Sequence, residues 1–180
     1  MEMFHSRRAP TYAPHGMVAS SNPLAAHIGL QILKERGNAV DAAIAMAAVS
    51  NITEPMMNGL GGDAFVMILW QGKLHGLNAS GRAGQAMTAE ALRKAGWGSV
   101  SVPGAPDGYF ALHARFGSKR FADLVEPAAC YAEEGIAVSQ KAAQFWRWGA
   151  SKPRLSKESM NEYLPGGQPP KQVRSFDSPI

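Results

Sequence analysis

Phe65-Val66-Met67-Ile68-Leu69-Trp70, followed by Gln71-Gly72-Lys73 and then Leu74-His75-Gly76-Leu77-Asn78, is the stretch whose reading decides the fold. It opens with a continuous apolar run of strand length, passes through a short turn at Gln71-Gly72-Lys73, and continues into a second strand, which together predict a β-hairpin. On both sides of it the pattern changes to helix. Upstream, Ser20-Ser21-Asn22-Pro23-Leu24 starts a helix with a polar cap and Pro at the first helical position. Leu24, Ile28 and Ile32 share one face of that helix, His27, Gln31 and Glu35 lie off it, and Gly37 is expected to close it as a left-handed cap. A second helix begins near Asn38 and runs to Val49. Its many alanines predict close approach by other elements and an interior position, and Pro55 bounds it.

Downstream, Thr88 to Ala95 reads as a short helix capped by Thr88, and Ser99 to Val102 as a short strand broken by Pro103-Gly104. Helices follow from Asp107 to Phe116 and from Phe121 to Glu134, with Pro127 kinking or dividing the second and Gly135 ending it. Ser139 caps a further helix carrying Phe145, Trp146 and Trp148. Pro165-Gly166-Gly167-Gln168-Pro169-Pro170 is expected to hold no regular structure. The chain therefore divides into a flexible arm over 1–16, an α/β (α+β) region over 17–150 and a poorly ordered tail over 151–180. The strands are too few for two complete packed sheets.

The 180 residues are 46% hydrophobic and 18% charged, which excludes a disordered polyelectrolyte. A net charge of +4 invites a nucleic-acid reading. Lys and Arg are scattered among acidic residues, however, with only a mild excess from Lys152 to Arg174 and no aromatic-rich basic strand, so no nucleic-acid partner is expected. The longest apolar stretch, Ala42 to Val49, is far too short to span a bilayer, and Met1 to Gly16 carries no apolar core of signal-peptide length. The expectation is a cytoplasmic protein without a membrane partner. Cys130 is the only cysteine, so neither an intrachain disulfide nor a cysteine zinc cluster is available, and its setting in Pro127-Ala128-Ala129-Cys130-Tyr131-Ala132 predicts a buried packing residue.

Self-contained catalytic machinery is not visible. There is no Gly-x-Ser-x-Gly elbow, no Ser-x-x-Lys pair, and no His-Glu-x-x-His helix among His5, His15, His27, His75 and His113. His113 reads as a helix-surface or hydrogen-bonded packing residue. Gly59-Leu60-Gly61-Gly62-Asp63 follows helix-like sequence and precedes a strand, the reverse of the order a dinucleotide loop requires. Gly59, Gly61 and Gly62 are therefore read as a structural glycine loop, needed for close approach or positive φ. No cofactor and no metal site is implied.

Several stretches, in order and with fitting spacing from Met17 to Ser139, resemble the large, N-terminal part of gamma-glutamyltranspeptidases and their acylase relatives. They are Met17-Val18-Ala19-Ser20 with Pro23-Leu24-Ala25, Gly37-Asn38-Ala39-Val40-Asp41-Ala42-Ala43, and Glu54-Pro55 with Gly59-Leu60-Gly61-Gly62. Val102-Pro103-Gly104, Gly108, His113-Ala114-Arg115-Phe116-Gly117, and Pro127-Ala128 leading to Ala132-Glu133-Glu134-Gly135-Ile136-Ala137-Val138-Ser139 complete the series. The resemblance implies an N-terminal-nucleophile αββα sandwich, incomplete in this chain, made as a precursor that cleaves itself. It also implies that a Thr at the new N-terminus of the small subunit serves as nucleophile and, through its amine, as general base. That subunit supplies the oxyanion hole too, so no catalytic residue is assigned to this chain. Its partners would be the remainder of the large subunit, the small subunit and a small amide substrate. The chain by itself is expected to be catalytically silent and marginally folded.

The family's gamma-glutamyl enzymes resemble one another in an Asp-x-Arg-Glu-x-Ala-Pro stretch after the second hairpin strand, whose Arg grips the substrate α-carboxylate. Here Asn78-Ala79-Ser80-Gly81-Arg82-Ala83-Gly84 stands in its place, with Asn78 at the Asp, Ser80 at the Arg and Gly81 at the Glu. Arg82, two residues further on, reaches a carboxylate from a different angle or is a solvated loop residue. The departure favours substrates lacking a glutamate α-amino-carboxylate head, as in cephalosporin-type acylases or oxamate amidohydrolase. The competing reading is glutathione hydrolysis and gamma-glutamyl transfer with Arg82 as a displaced anchor. Leu155 to Pro170 continues to resemble the family, whereas Gln172 to Ile180 does not.

Overall fold

Asn22 opens helix α1 (Pro23–Lys34), its Oδ1 accepting the Leu24 N–H at 2.9 Å. The chain is described here by a computed structural model that covers residues 9–90, 100–151 and 157–170. At the far end of α1, the left-handed residue is Arg36 (φ 66°), not Gly37. Arg36 N–H bonds to Leu33 O at 3.1 Å and Gly37 N–H to Ile32 O at 2.9 Å, the paired bonds of a Schellman cap. Gly37 is required there for space instead, because a Cβ on it would lie 2.5 Å from Ile32 Cγ2.

Helix α2 (Ala39–Thr53) starts with a capping box. Asn38 Oδ1 accepts from Val40 N at 2.8 Å and Asp41 N at 3.0 Å, while Asp41 Oδ2 accepts from Asn38 N at 2.9 Å. Strands β1 (Ala64–Trp70) and β2 (Lys73–Ala79) follow as an antiparallel pair in which Trp70 faces Lys73 and Ala64 faces Ala79. The connection is thus the two residues Gln71 (φ 49°) and Gly72 (φ 78°), both with the positive φ that a type I′ turn demands, and Lys73 already belongs to the strand. Helices α3 (Ala105–Phe116), α4 (Phe121–Glu134), α5 (Gln140–Ala150) and α6 (Lys157–Tyr163) complete the order.

The core lies between helices. Ala25, Ile28 and Ile32 of α1 and Leu124 and Ala128 of α4 bury against Val40, Ala42, Ile44, Ala45, Ala48 and Val49 of α2. The small alanine side chains are what let α1 and α4 approach α2 together. The hairpin applies one face, carrying Val66, Ile68, Trp70 and Leu77, to the same core. Gly108 of α3 makes that contact possible, since a Cβ there would sit 2.6 Å from Ala79 Cβ. The other face, with Phe65, Met67, Leu69 and Leu74, is exposed. No helix among the described residues is long and apolar enough to cross a membrane.

Elsewhere the structure corrects or completes the sequence reading. Pro127 lies inside one continuous α4 without dividing it. Cys130 is exposed, because the buried stripe of α4 runs through Leu124 and Ala128 and Cys130 falls off it. Val100 to Val102 form no strand. Val102 N–H donates to Arg82 O at 3.0 Å, the one backbone bond from these three residues among the described residues. Of the expected helix from Thr88 to Ala95, Ala89 and Glu90 are helical, and residues 91–99 lie outside the described residues. Trp146 Nε1 donates to Tyr163 O at 2.8 Å, joining α5 to α6 in the expected tail, where Pro165–Gly167 form a 3₁₀ turn although no regular structure was expected. Gly166 (φ 69°) and Gly167 (φ 75°) allow that turn. His113 is the hydrogen-bonded packing residue expected, with Nε2 2.7 Å from Lys119 O and its ring against Phe121.

Candidate functional site

β2 ends at buried Ala79, and the alternation of the strand leaves Asn78 on the exposed face opposite Phe65. The chain then turns. Asn78 Oδ1 accepts the Ser80 N–H at 2.9 Å and also the Ser80 hydroxyl, an Asx turn that carries the backbone off the strand direction. Asn78, Ser80 and Arg82 are therefore brought together on one short, exposed loop. Arg82 makes no ion pair among the described residues, whose charged pairs are Lys119 with Glu35 and Arg120 with Asp123. Its guanidinium is available as a planar, two-pronged donor to a carboxylate.

Two other segments clamp this loop. Asp63, in the residue pair Gly62-Asp63 that enters β1, accepts the Gly81 N–H at 2.9 Å and the Ser101 hydroxyl at 3.2 Å through the same Oδ1. Gly62 O accepts Gly104 N–H at 3.0 Å and Ala105 N–H at 2.9 Å, so it satisfies donors at the start of α3. The packing at the crossing leaves no room for a side chain. A Cβ on Gly81 would fall 1.6 Å from Val102 O, and one on Gly104 would fall 2.3 Å from Ala79 O.

The glycine loop itself differs from expectation. Gly59, Gly61 and Gly62 have no positive φ, and a Cβ on Gly59 or Gly61 would meet nothing within 4 Å. On Gly62 it would make only ordinary contact with Gly59 O at 3.4 Å. Within this chain the loop acts through the Gly62 carbonyl, not through a lack of side chains. Beside it lies an open cavity of about 340 Å³ whose walls include Asn51, Met56, Asn58, Gly59, Asp63 and Tyr109. Among the described residues no group of three or more His, Cys, Asp or Glu side chains is placed to hold a metal ion.

Asp63 and Ser101 are the residues that the sequence reading missed. Their bonds link positions 18 and 38 residues apart, and a lone Asp after two glycines carries no local sign of such partners. The chemistry that this arrangement offers is recognition: a fixed backbone presenting an amide, a hydroxyl and a guanidinium to an anionic or carbonyl-bearing ligand.

Residues 25–179 match the gamma-glutamyltranspeptidase family model, so the match runs on past Gln172, where the resemblance was expected to stop. The glutathione hydrolase proenzyme of Bacillus subtilis is 31% identical over 173 residues, which are 87% of this chain and 29% of that protein. Among solved structures, the cephalosporin acylase of Bacillus halodurans superposes with a TM-score of 0.78 at 36% identity, over 94% of this chain and 36% of that one. The gamma-glutamyltranspeptidase of Helicobacter pylori superposes with a TM-score of 0.83 at 26% identity, over 91% of this chain and 51% of that one. The chain thus spans under a third of the length of the curated glutathione hydrolase that it matches.

Proposed function

Because this chain belongs to the gamma-glutamyltranspeptidase family, we propose that it is the N-terminal portion of a self-processing amidohydrolase, which hydrolyses an amide or transfers its acyl group. The observation that carries this reading is the family match over residues 25–179, which takes in the helical core, the hairpin and the 78–82 loop alike. In this scheme the chemistry belongs to a Thr at the start of a small subunit, acting as nucleophile with its own amine as base. The present chain contributes binding and orientation. Its 78–82 loop receives the acyl side of the substrate, with Arg82 pairing to an acyl carboxylate and Asn78 and Ser80 offering hydrogen bonds beside it.

The substrate class follows from the same loop. Ser80 stands where the family's gamma-glutamyl enzymes carry the α-carboxylate Arg, so the favoured substrate is a small acyl amide whose carboxylate is not part of an α-amino-acid head. The similarity to a cephalosporin acylase at 36% identity is compatible with this choice, which rests on the loop itself. The partners are the rest of the large subunit and the small subunit. The exposed apolar row Phe65, Met67, Leu69 and Leu74 supports a partner surface that completes the sandwich over the hairpin.

The test is the complete polypeptide. It should cleave itself, leave Thr as the first residue of the smaller product, and turn over an acyl anilide only after cleavage. A complete open reading frame without such a Thr, or an intact single chain with full activity, removes the proposal.

A further inference from the structure

Taking the reading of the 78–82 loop as the acyl-binding loop, we propose that Asp63 is the positioning residue that sets Arg82 for the substrate carboxylate. Arg82 reaches solvent from a backbone held on both sides. The residue before it is fixed by Gly81 N–H donating to Asp63 Oδ1 at 2.9 Å, and its own carbonyl is fixed by Val102 N–H at 3.0 Å. Asp63 also takes the Ser101 hydroxyl at 3.2 Å, immediately before Val102, so one carboxylate oxygen ties together both segments that grip Arg82. Close packing alone excludes a closer approach at Gly81 and Gly104, but it does not stop the 78–82 loop from lifting away. The two bonds to Asp63 oppose that movement. A charged acceptor strengthens them, since hydrogen bonds to an ionised group are shorter and stronger than neutral ones.

This role separates from charge attraction. Asp63 is negative and would by itself repel an anionic substrate, so its benefit to carboxylate binding has to run through the loop it holds. The Asn variant keeps an acceptor oxygen for both donors, whereas the Ala variant keeps none.

The experiment uses the complete processed protein with a glutaryl anilide and, as neutral control, a pentanoyl anilide. Arg82→Ala should raise KM for the glutaryl substrate by about tenfold with little change in kcat. Asp63→Ala should do the same, with the pentanoyl KM unmoved, and should speed hydrogen exchange of the 79–83 segment. Asp63→Asn should stay within about threefold of the parent, and the Asp63→Ala/Arg82→Ala double variant should be no worse than Arg82→Ala alone. If the Ala variant does not fold, Asp63→Glu serves: its longer stem displaces the acceptor while keeping the charge, and an unchanged glutaryl KM overturns the inference. Asp63→Ala without effect where Arg82→Ala has one overturns this role alone, and so does an equal loss on both substrates. No preference for the glutaryl substrate, or an Arg82→Ala protein that behaves as the parent, overturns the loop reading together with it.

Discussion

The carboxylate of Asp41 accepts the backbone N–H of Ser118, 77 residues further along the chain, at 3.0 Å. The same side chain takes the Ser118 hydroxyl and the Asn38 N–H, and Asn38 Nδ2 in turn donates to Phe116 O at 2.7 Å. The start of α2 is thereby fastened to the end of α3 and the turn after it. Asp41 has no solvent exposure. Burial pushes its pKa up, but the bonds from Ser118, Asn38 and Lys119 outweigh burial and hold the carboxyl below its ordinary value. A depressed folded value means that ionised Asp41 adds stability above the unfolded pKa of about 3.9. That stability should drain away as pH falls from there through the folded value. Chemical denaturation of the complete protein between neutral and acid pH should show this loss, and Asp41→Ala should weaken the dependence while costing about 3 kcal/mol at neutral pH.

Gly81→Ala should be poorly tolerated. The new methyl would stand 1.6 Å from the backbone oxygen of Val102, and a Cβ has no rotamer of its own, so no side-chain change relieves it. The expected cost is about 1–3 kcal/mol, with the 78–82 loop displaced and KM for the glutaryl anilide raised. Thermal unfolding and steady-state kinetics on the same preparation check both effects. A Gly59→Ala control, which meets open space, should leave stability within about 0.5 kcal/mol.

The 180-residue chain expressed alone should bind a hydrophobic dye, unfold with low cooperativity and release no product from any amide. Phe65, Met67, Leu69 and Leu74 are all at least two-thirds exposed on one face, and apolar surface in water forfeits about 25 cal/mol per Å². Met67→Lys with Leu69→Lys should reduce dye binding without lowering the thermal midpoint of the isolated chain. The same pair in the complete protein should block assembly. A sharp monomeric transition for the parent chain would show that the helical core suffices.

Gamma-glutamyl anilide should be a poorer substrate than glutaryl anilide by kcat/KM. The two differ only in the α-amino group, for which Asn78, Ser80 and Arg82 offer no negative charge, while Oδ1 of the neighbouring Asp63 is already engaged by Gly81 and Ser101. Robust gamma-glutamyl turnover that collapses in Arg82→Ala would instead make Arg82 a displaced anchor for the usual head group.

What could be read from the sequence was what local chemistry determines. Asn22 before Pro23, Ser139 before α5, and the apolar run ending at Gln71-Gly72 each announce themselves within a few residues. The Schellman cap was misplaced by one residue, because Gly is the usual left-handed residue and Arg36 adopts that conformation only with its two cap bonds made. Cys130 misled because Ala128-Ala129-Cys130 is apolar all round and gives no phase to the helix. Asp63 and Ser101 stayed hidden because their meaning comes from Gly81, on a segment that folds back only once the hairpin and α3 have packed.

The Gln71-Gly72 turn has a consequence for proofreading during folding. In most half-buried hairpins a slip by one residue exposes oil and buries charge, and so corrects itself. β1 has no such signal, because Phe65, Met67 and Leu69 on one face are as apolar as Val66, Ile68 and Trp70 on the other. Hydrophobicity cannot tell the correct pairing of this strand from one shifted by a single position. The choice rests on two small residues, Gly72, whose positive φ suits the tight reversal, and Ala79, whose Cβ lies nearest the space left by Gly108. Insertions of a single residue between them should give a hairpin that forms readily and faces the wrong way.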